Sequence, residues 1–244
     1  MKKLFGLAAG VLMVLSLAAC AKEQKELVMA TNAEFPPYEF HSETQEIVGI
    51  DVEICQAIAD ELGRKLVIED MAFDSVITSV YTGKADIGAA GLTITEDRLK
   101  NINFSTPYTT AAQVIIVQEG SDIASPDDLT GKTIGVQLGT TGDIYAEDIE
   151  GATLERYNKG FEAVQALLQG KIDAVIIDNE PANVFVSQNE GLVIVDEAFT
   201  YEEYAIAIAK DNEQLLNEVN AAIAKLKESG KLDEIINKYI SADN

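Results

Sequence analysis

FDSVITSVYTGKAD, residues 73–86, is answered later in the chain by FEAVQALLQGKID, residues 161–173. Each stretch spaces its apolar residues along one helical face, stops at Gly-Lys, and passes through an acidic residue into an apolar run. The pattern predicts two α/β units of the same build, each handing the end of a buried strand to a loop. Strands alternating with helices favour a mainly parallel sheet, and ligands of such sheets gather beyond the carboxyl ends of the strands. One larger sheet and two separate ones fit this repeat equally well.

The first unit runs on through IGAAGLTITEDR, residues 87–98. Residues 87–90 read as a short buried strand. Ala90 and Gly91 carry so little side chain that a ligand can approach the backbone closely. The Thr93 hydroxyl adds a donor and an acceptor at the same edge. Thr93 and Glu96 have the spacing of a capping box, so a helical turn is expected to begin there with unpaired N–H groups. Arg98 falls inside that turn. The other arginines are Arg64 and Arg156, and a planar guanidinium with two parallel donors is the group that grips a carboxylate. The stretch reads as an anion site.

In the second unit a strand at 133–137 leads into LGTTG, residues 138–142. The amides of Gly139, Thr140 and Thr141 form either a plain turn or the anion-friendly start of an Asp143-led helix. The strand at 174–177 ends at Asp178, which either caps the following helix or faces a ligand. Further strands are expected at 26–30, 65–70, 112–118, 153–157, 192–195 and 204–209. Helices are expected at 51–63, 215–227 and 232–239.

With 244 residues and a formal net charge of −23, the chain is long enough for two modest lobes. It is too acidic for nucleic acid or an anionic membrane surface to partner the folded part. Residues 1–19 carry two lysines, an apolar stretch and then small residues, the layout of an export signal. With Cys20 set aside, Cys55 has no intrachain partner. Together with Ile58, Ala59 and Leu62 it falls on one helical stripe and reads as core. His41 is the only histidine, and neither a metal nor a cofactor is expected. With no serine triad and no Walker loop, the chain does not read as an enzyme.

Four ordered stretches carry a family likeness: ATNAEFPPY (30–38), Gly49-Ile50-Asp51, the segment 83–98, and GVQLGTTG (135–142), joined by the strand at 173–178. Together they resemble the amino-acid-binding family of bacterial extracytoplasmic solute-binding proteins, the receptors of polar amino acid ABC importers. The likeness implies an α/β, two-lobed, periplasmic-binding-protein-like fold. Each lobe would be a mainly parallel sheet flanked by helices, with two crossings as the hinge. Residues 26–109 and 204–244 would form lobe one and 110–203 lobe two, with the hinge near 109–112 and 199–204. LAAC, residues 17–20, resembles the lipobox of bacterial lipoproteins. That implies cleavage after residue 19, acylation of Cys20 and a tether over 20–25. The mature protein would be an extracytoplasmic, membrane-anchored monomer.

The same likeness implies roles at the site. Arg98 would take the α-carboxylate of an amino acid, helped by N–H groups of Gly91, Thr93 and Thr141, and Asp178 would accept the α-ammonium. Asn32, Phe35, Phe73 and Gln137 would receive the side chain, with Asp51 close behind. Ala90 stands where relatives carry a hydroxyl, and Thr140 belongs to the loop that Thr141 serves. Asn32 is neutral where members preferring cationic side chains often carry aspartate. A glutamine-like ligand is therefore expected first and a basic one second, the second kept open by Asp51 and Glu34. Lobe closure would present the amino acid to the permease subunits of an ABC importer. Rival readings are an amino-acid-binding surface sensor or adhesin, and a dehydratase on the same fold with Glu34 as its acid.

Overall fold

The computed structural model describes residues 25–240. The expected export signal, Cys20 and the start of the expected tether lie outside the described residues, as do residues 241–244. In chain order the strands and helices are β1 (Glu26–Thr31), β2 (Glu34–Phe35), β3 (Glu39–His41), β4 (Ile47–Val48), α1 (Ile50–Glu61), β5 (Lys65–Asp70), α2 (Phe73–Tyr81), β6 (Ile87–Gly88), β7 (Ile102–Phe104), β8 (Thr109–Gln118), β9 (Thr133–Gln137), α3 (Thr141–Ala146), β10 (Thr153–Tyr157), α4 (Gly160–Leu168), β11 (Ala174–Asp178), α5 (Asn179–Gln188), β12 (Leu192–Ile194), β13 (Thr200–Tyr204), β14 (Ala207–Ala209), α6 (Glu213–Glu228) and α7 (Lys231–Tyr239).

Two main sheets result. The first runs β5-β1-β6-β14-β7 and the second β10-β9-β11-β8-β12, with β13 also paired to β8. In the first sheet only β14 opposes its neighbours, and in the second only β8 does. The reversal has a topological cause. The chain enters the second sheet along β8 and resumes the first along β14. Between them, β8 and β13 pair from Thr109↔Tyr204 to Gln113↔Thr200, so both crossings travel side by side as an antiparallel ribbon.

The repeated helices α2 and α4 seat their lobes' sheets in the same way. Val76 and Val80 of α2 are fully buried over Gly88, where an added Cβ would come within 3.1 Å of each. Ala163 of α4 lies over Gly135, where an added Cβ would meet it at 3.1 Å. Burying each valine contributes roughly 1.5–3 kcal/mol as an upper figure. This close seating orients the strand ends. β1, β6, β9 and β11 deliver Asn32, Ala90-Gly91, Gln137 and Asp178 to the space between the lobes.

Three expectations change. The single strand at 204–209 is two, because Tyr204 completes the ribbon while Ala207 pairs with Gly88 and Phe104. The strands β2, β3, β4 and β7 hold two or three residues each, too few to show a periodic pattern. Nor does a capping box form at Thr93, which makes an isolated bridge to Tyr204. Thr95 takes that part instead, its Oγ1 accepting from the Arg98 N–H at 3.2 Å, and a 3-10 turn runs over Arg98–Lys100.

Candidate functional site

Where the strand ends meet, Asn32, Phe35, Phe73, Ala90, Gly91, Thr93, Arg98, Gln137, Thr140, Thr141 and Asp178 line one enclosed cavity. Asp51 is the one residue of the expected set that does not. It lies behind the wall, fully inside lobe one, where its Oδ2 accepts from the Gly91 N–H at 2.9 Å and its Oδ1 from the Tyr108 hydroxyl at 2.7 Å. Burial pushes its carboxyl up to about 6. The Gly91 N–H is therefore committed, and is not a donor for a ligand carboxylate as expected. Gly91 itself has φ +54°, and an added Cβ would press on Phe35 at 2.9 Å and Tyr204 at 3.3 Å. Only glycine suits the turn.

Arg98 is 7% exposed. Its Nη1 donates to the Thr93 carbonyl at 2.8 Å and its Nη2 to the Gly139 carbonyl of the other lobe at 3.2 Å, while the Phe73 ring centroid lies 5.6 Å from the guanidinium carbon. Burial works against its charge, and Glu202 and then Asp178 favour it. Phe73 thus backs the arginine as well as lining the cavity.

Asp178 occupies the N-cap position of α5, yet its side chain makes no capping bond. It turns into the cavity instead and accepts from the Tyr204 hydroxyl. Burial, then the neighbouring Glu202, push its carboxyl up to about 7. A nearby ammonium would reverse that shift.

The Gln137 amide donates across the cleft to Asn32 Oδ1 at 3.0 Å, and Asn32 Nδ2 donates to the Met71 carbonyl at 2.8 Å. At the rim Glu34 pairs with Lys159 of the second lobe, which occupies the carboxylate that a dehydratase would need as its acid. Thr140 caps α3 by accepting from the Asp143 N–H at 3.3 Å. The Asp143 carboxylate already accepts from the Gly139 N–H at 3.0 Å and pairs with Arg156. The start of α3 is thus less open to a second anion than the loop sequence suggested. The lobes are shut: the centre of a water molecule has about 10 Å³ in which to move inside. Ligand entry requires them to part.

Sequence reasoning missed Glu202, Gln113 and Tyr204. Gln113 is the polar residue inside the apolar strand β8, fully buried. In TYEEY, Glu202 alternates with exposed neighbours and shares the buried face of Tyr204. Both were readable signals.

Fold and site together define a two-lobed binding protein with a closed cleft between its lobes. The chain belongs to the bacterial extracellular solute-binding proteins, family 3, whose pattern it matches over residues 27–242. Among similar proteins, the L-cystine-binding protein TcyJ of Escherichia coli (strain K12) is 32% identical over 226 residues, covering 91% of this chain and 85% of that protein. The arginine-binding extracellular protein ArtP of Bacillus subtilis (strain 168) is 32% identical over 256 residues, covering 100% of both. An ancestral arginine-binding protein solved with arginine matches with a TM-score of 0.86 at 40% identity over 89% of this chain and 99% of that one. An ancestral arginine-binding protein solved with glutamine matches with a TM-score of 0.85 at 40% identity over 89% of this chain and 98% of that one.

Proposed function

We propose that this protein is an extracytoplasmic receptor that captures a polar L-amino acid by lobe closure and delivers it to the permease of an ABC importer. The observation that carries the reading is the pairing of Arg98 and Asp178, a buried cation and a buried carboxylate from different lobes, on one cavity. An amino acid presents both complementary charges, and burying either unpaired would cost several kcal/mol. Micromolar affinity needs only about −8 kcal/mol, within reach of such a double pair with aromatic packing. The lobes divide at 109/110 and 203/204 and move about the ribbon. Cys20 carries the lipid anchor, which a Cys20→Ser variant lacking fatty-acid label and released from the membrane would support.

The side chain is read as ending in a planar nitrogen-bearing head. The neutral lining by Asn32, Gln137, Phe35 and Phe73 supports glutamine. Arginine is placed first, on two supports. Several relatives are named for it, and Phe35 and Phe73 line the cavity, where a guanidinium stacks well on aromatic rings. A thermal-shift screen of the common amino acids with ornithine and cystine tests both levels. A ligand at a hundred times its Kd adds about 2.7 kcal/mol of stability. A flat screen overturns the receptor reading, and a shift with glutamine alone overturns the order.

A further inference from the structure

A carboxylate only accepts hydrogen bonds, and at Glu202 this sets the direction of a bonded chain that reaches both lobes' walls of the cavity. Glu202 is 6% exposed and sits in β13, one of the two crossings. Its Oε2 accepts from the Thr93 hydroxyl at 2.8 Å and from Gln113 Nε2 at 3.1 Å. The same Gln113 nitrogen donates to Thr141 Oγ1 at 3.2 Å. Turning the Gln113 amide over would set its oxygen against Oε2, acceptor facing acceptor, so the carboxylate holds the nitrogen inward. Gln113 Oε1 has no hydrogen-bond partner among the described residues, and the Tyr145 hydroxyl lies beside Glu202.

The consequence lies at the cavity wall. With its proton given to Glu202, the Thr93 hydroxyl can meet a ligand only as an acceptor. With its oxygen occupied by Gln113, the Thr141 hydroxyl is free to turn its proton toward a ligand carboxylate. We propose that Glu202 is a positioning residue for ligand binding, fixing Thr93 as acceptor and Thr141 as donor toward the amino acid. The proposal rests on the receptor reading above.

The test is titration calorimetry with L-arginine and L-glutamine on the wild type, Glu202→Leu, Glu202→Gln, Thr141→Val and the double variant Glu202→Leu/Thr141→Val, each checked by thermal melting. Glu202→Leu weakens binding by about tenfold or more, while Glu202→Gln, which keeps an acceptor oxygen, restores most of the loss. Thr141→Val costs about fivefold in the wild type and less than about twofold beside Glu202→Leu, because the direction of the Thr141 proton is already lost. Glu202 and Thr141 are joined only through Gln113, so a residue that merely filled space would give losses that multiply. Multiplying losses, or a Glu202→Leu variant that binds as the wild type does, overturn the assignment and leave the receptor reading standing. A wild type that binds no amino acid overturns both. If Glu202→Leu fails to fold, Gln113→Met breaks the same chain one link on and takes its place in the cycle.

Discussion

The Arg98 guanidinium, anchored on the Thr93 carbonyl of the first lobe, reaches across the cleft to the Gly139 carbonyl of the second. One side chain thus senses both halves of the closed form. Its remaining donors are the ones a carboxylate would meet. Arg98→Ala should weaken amino acid binding by about 2–5 kcal/mol, and Arg98→Lys should not restore it, since an ammonium cannot bridge two carbonyls and a carboxylate in one plane. Calorimetry showing unchanged affinity for the alanine variant would remove Arg98 from the site.

Asp178 makes binding depend on pH. Its carboxyl, held at about 7 by burial and by Glu202, accepts an ammonium only when ionised. Affinity should be full above pH 7 and fall as pH drops below it, approaching tenfold per unit, with a proton released on binding. Asp178→Asn should bind weakly and without that slope. Calorimetry in buffers of different ionisation heat would read the proton directly, and a flat wild-type profile between pH 5 and 8 would contradict the assignment.

Two buried acids, Asp178 and Asp51, set a stability trend. Asp178 at about 7 and Asp51 at about 6 both lie above the usual carboxylate value, so between roughly pH 4 and 7 the native state holds more protons than the unfolded chain. Stability contributed by their neutral forms is present at the acid side and lost as pH rises. The ligand-free protein should melt lower at pH 8 than at pH 5.5, and saturating amino acid should flatten the difference. A ligand-free melting temperature that climbs over this window would show that other groups dominate.

Gly91→Ala tests the turn beneath the cavity. The left-handed backbone and the 2.9 Å approach to Phe35 should cost about 1–3 kcal/mol of stability. Ligand binding should suffer as well, because Phe35 also lines the cavity. A variant with wild-type melting and affinity would mean that the turn relaxes freely.

What the chain revealed of this site follows from locality. Gln137, Asp178 and the Ala90-Gly91 pair sit at strand ends marked by small or turn-forming neighbours, so their place could be read from adjacent residues. Glu202 could not be placed the same way, because its partner Thr93 lies 109 residues away. That long-range bond also explains the misread capping box. A local pattern at Thr93 and Glu96 competes with a buried carboxylate that claims the Thr93 hydroxyl, and the buried partner wins. Asp51 was expected near the ligand because it neighbours Gly49 in a motif, whereas its contacts with Gly91 and Tyr108 are visible only in three dimensions.

Cys55 lies in the core of the first lobe, 0% exposed, and burial pushes its thiol well above its ordinary value. Among the described residues it is the only sulfhydryl, and reagents in solution cannot reach it while the protein is folded. A cysteine introduced at the cleft rim of a soluble form that begins after Cys20 would be the sole group to take up a maleimide dye. Opening and closing could then be followed optically without first deleting the natural thiol.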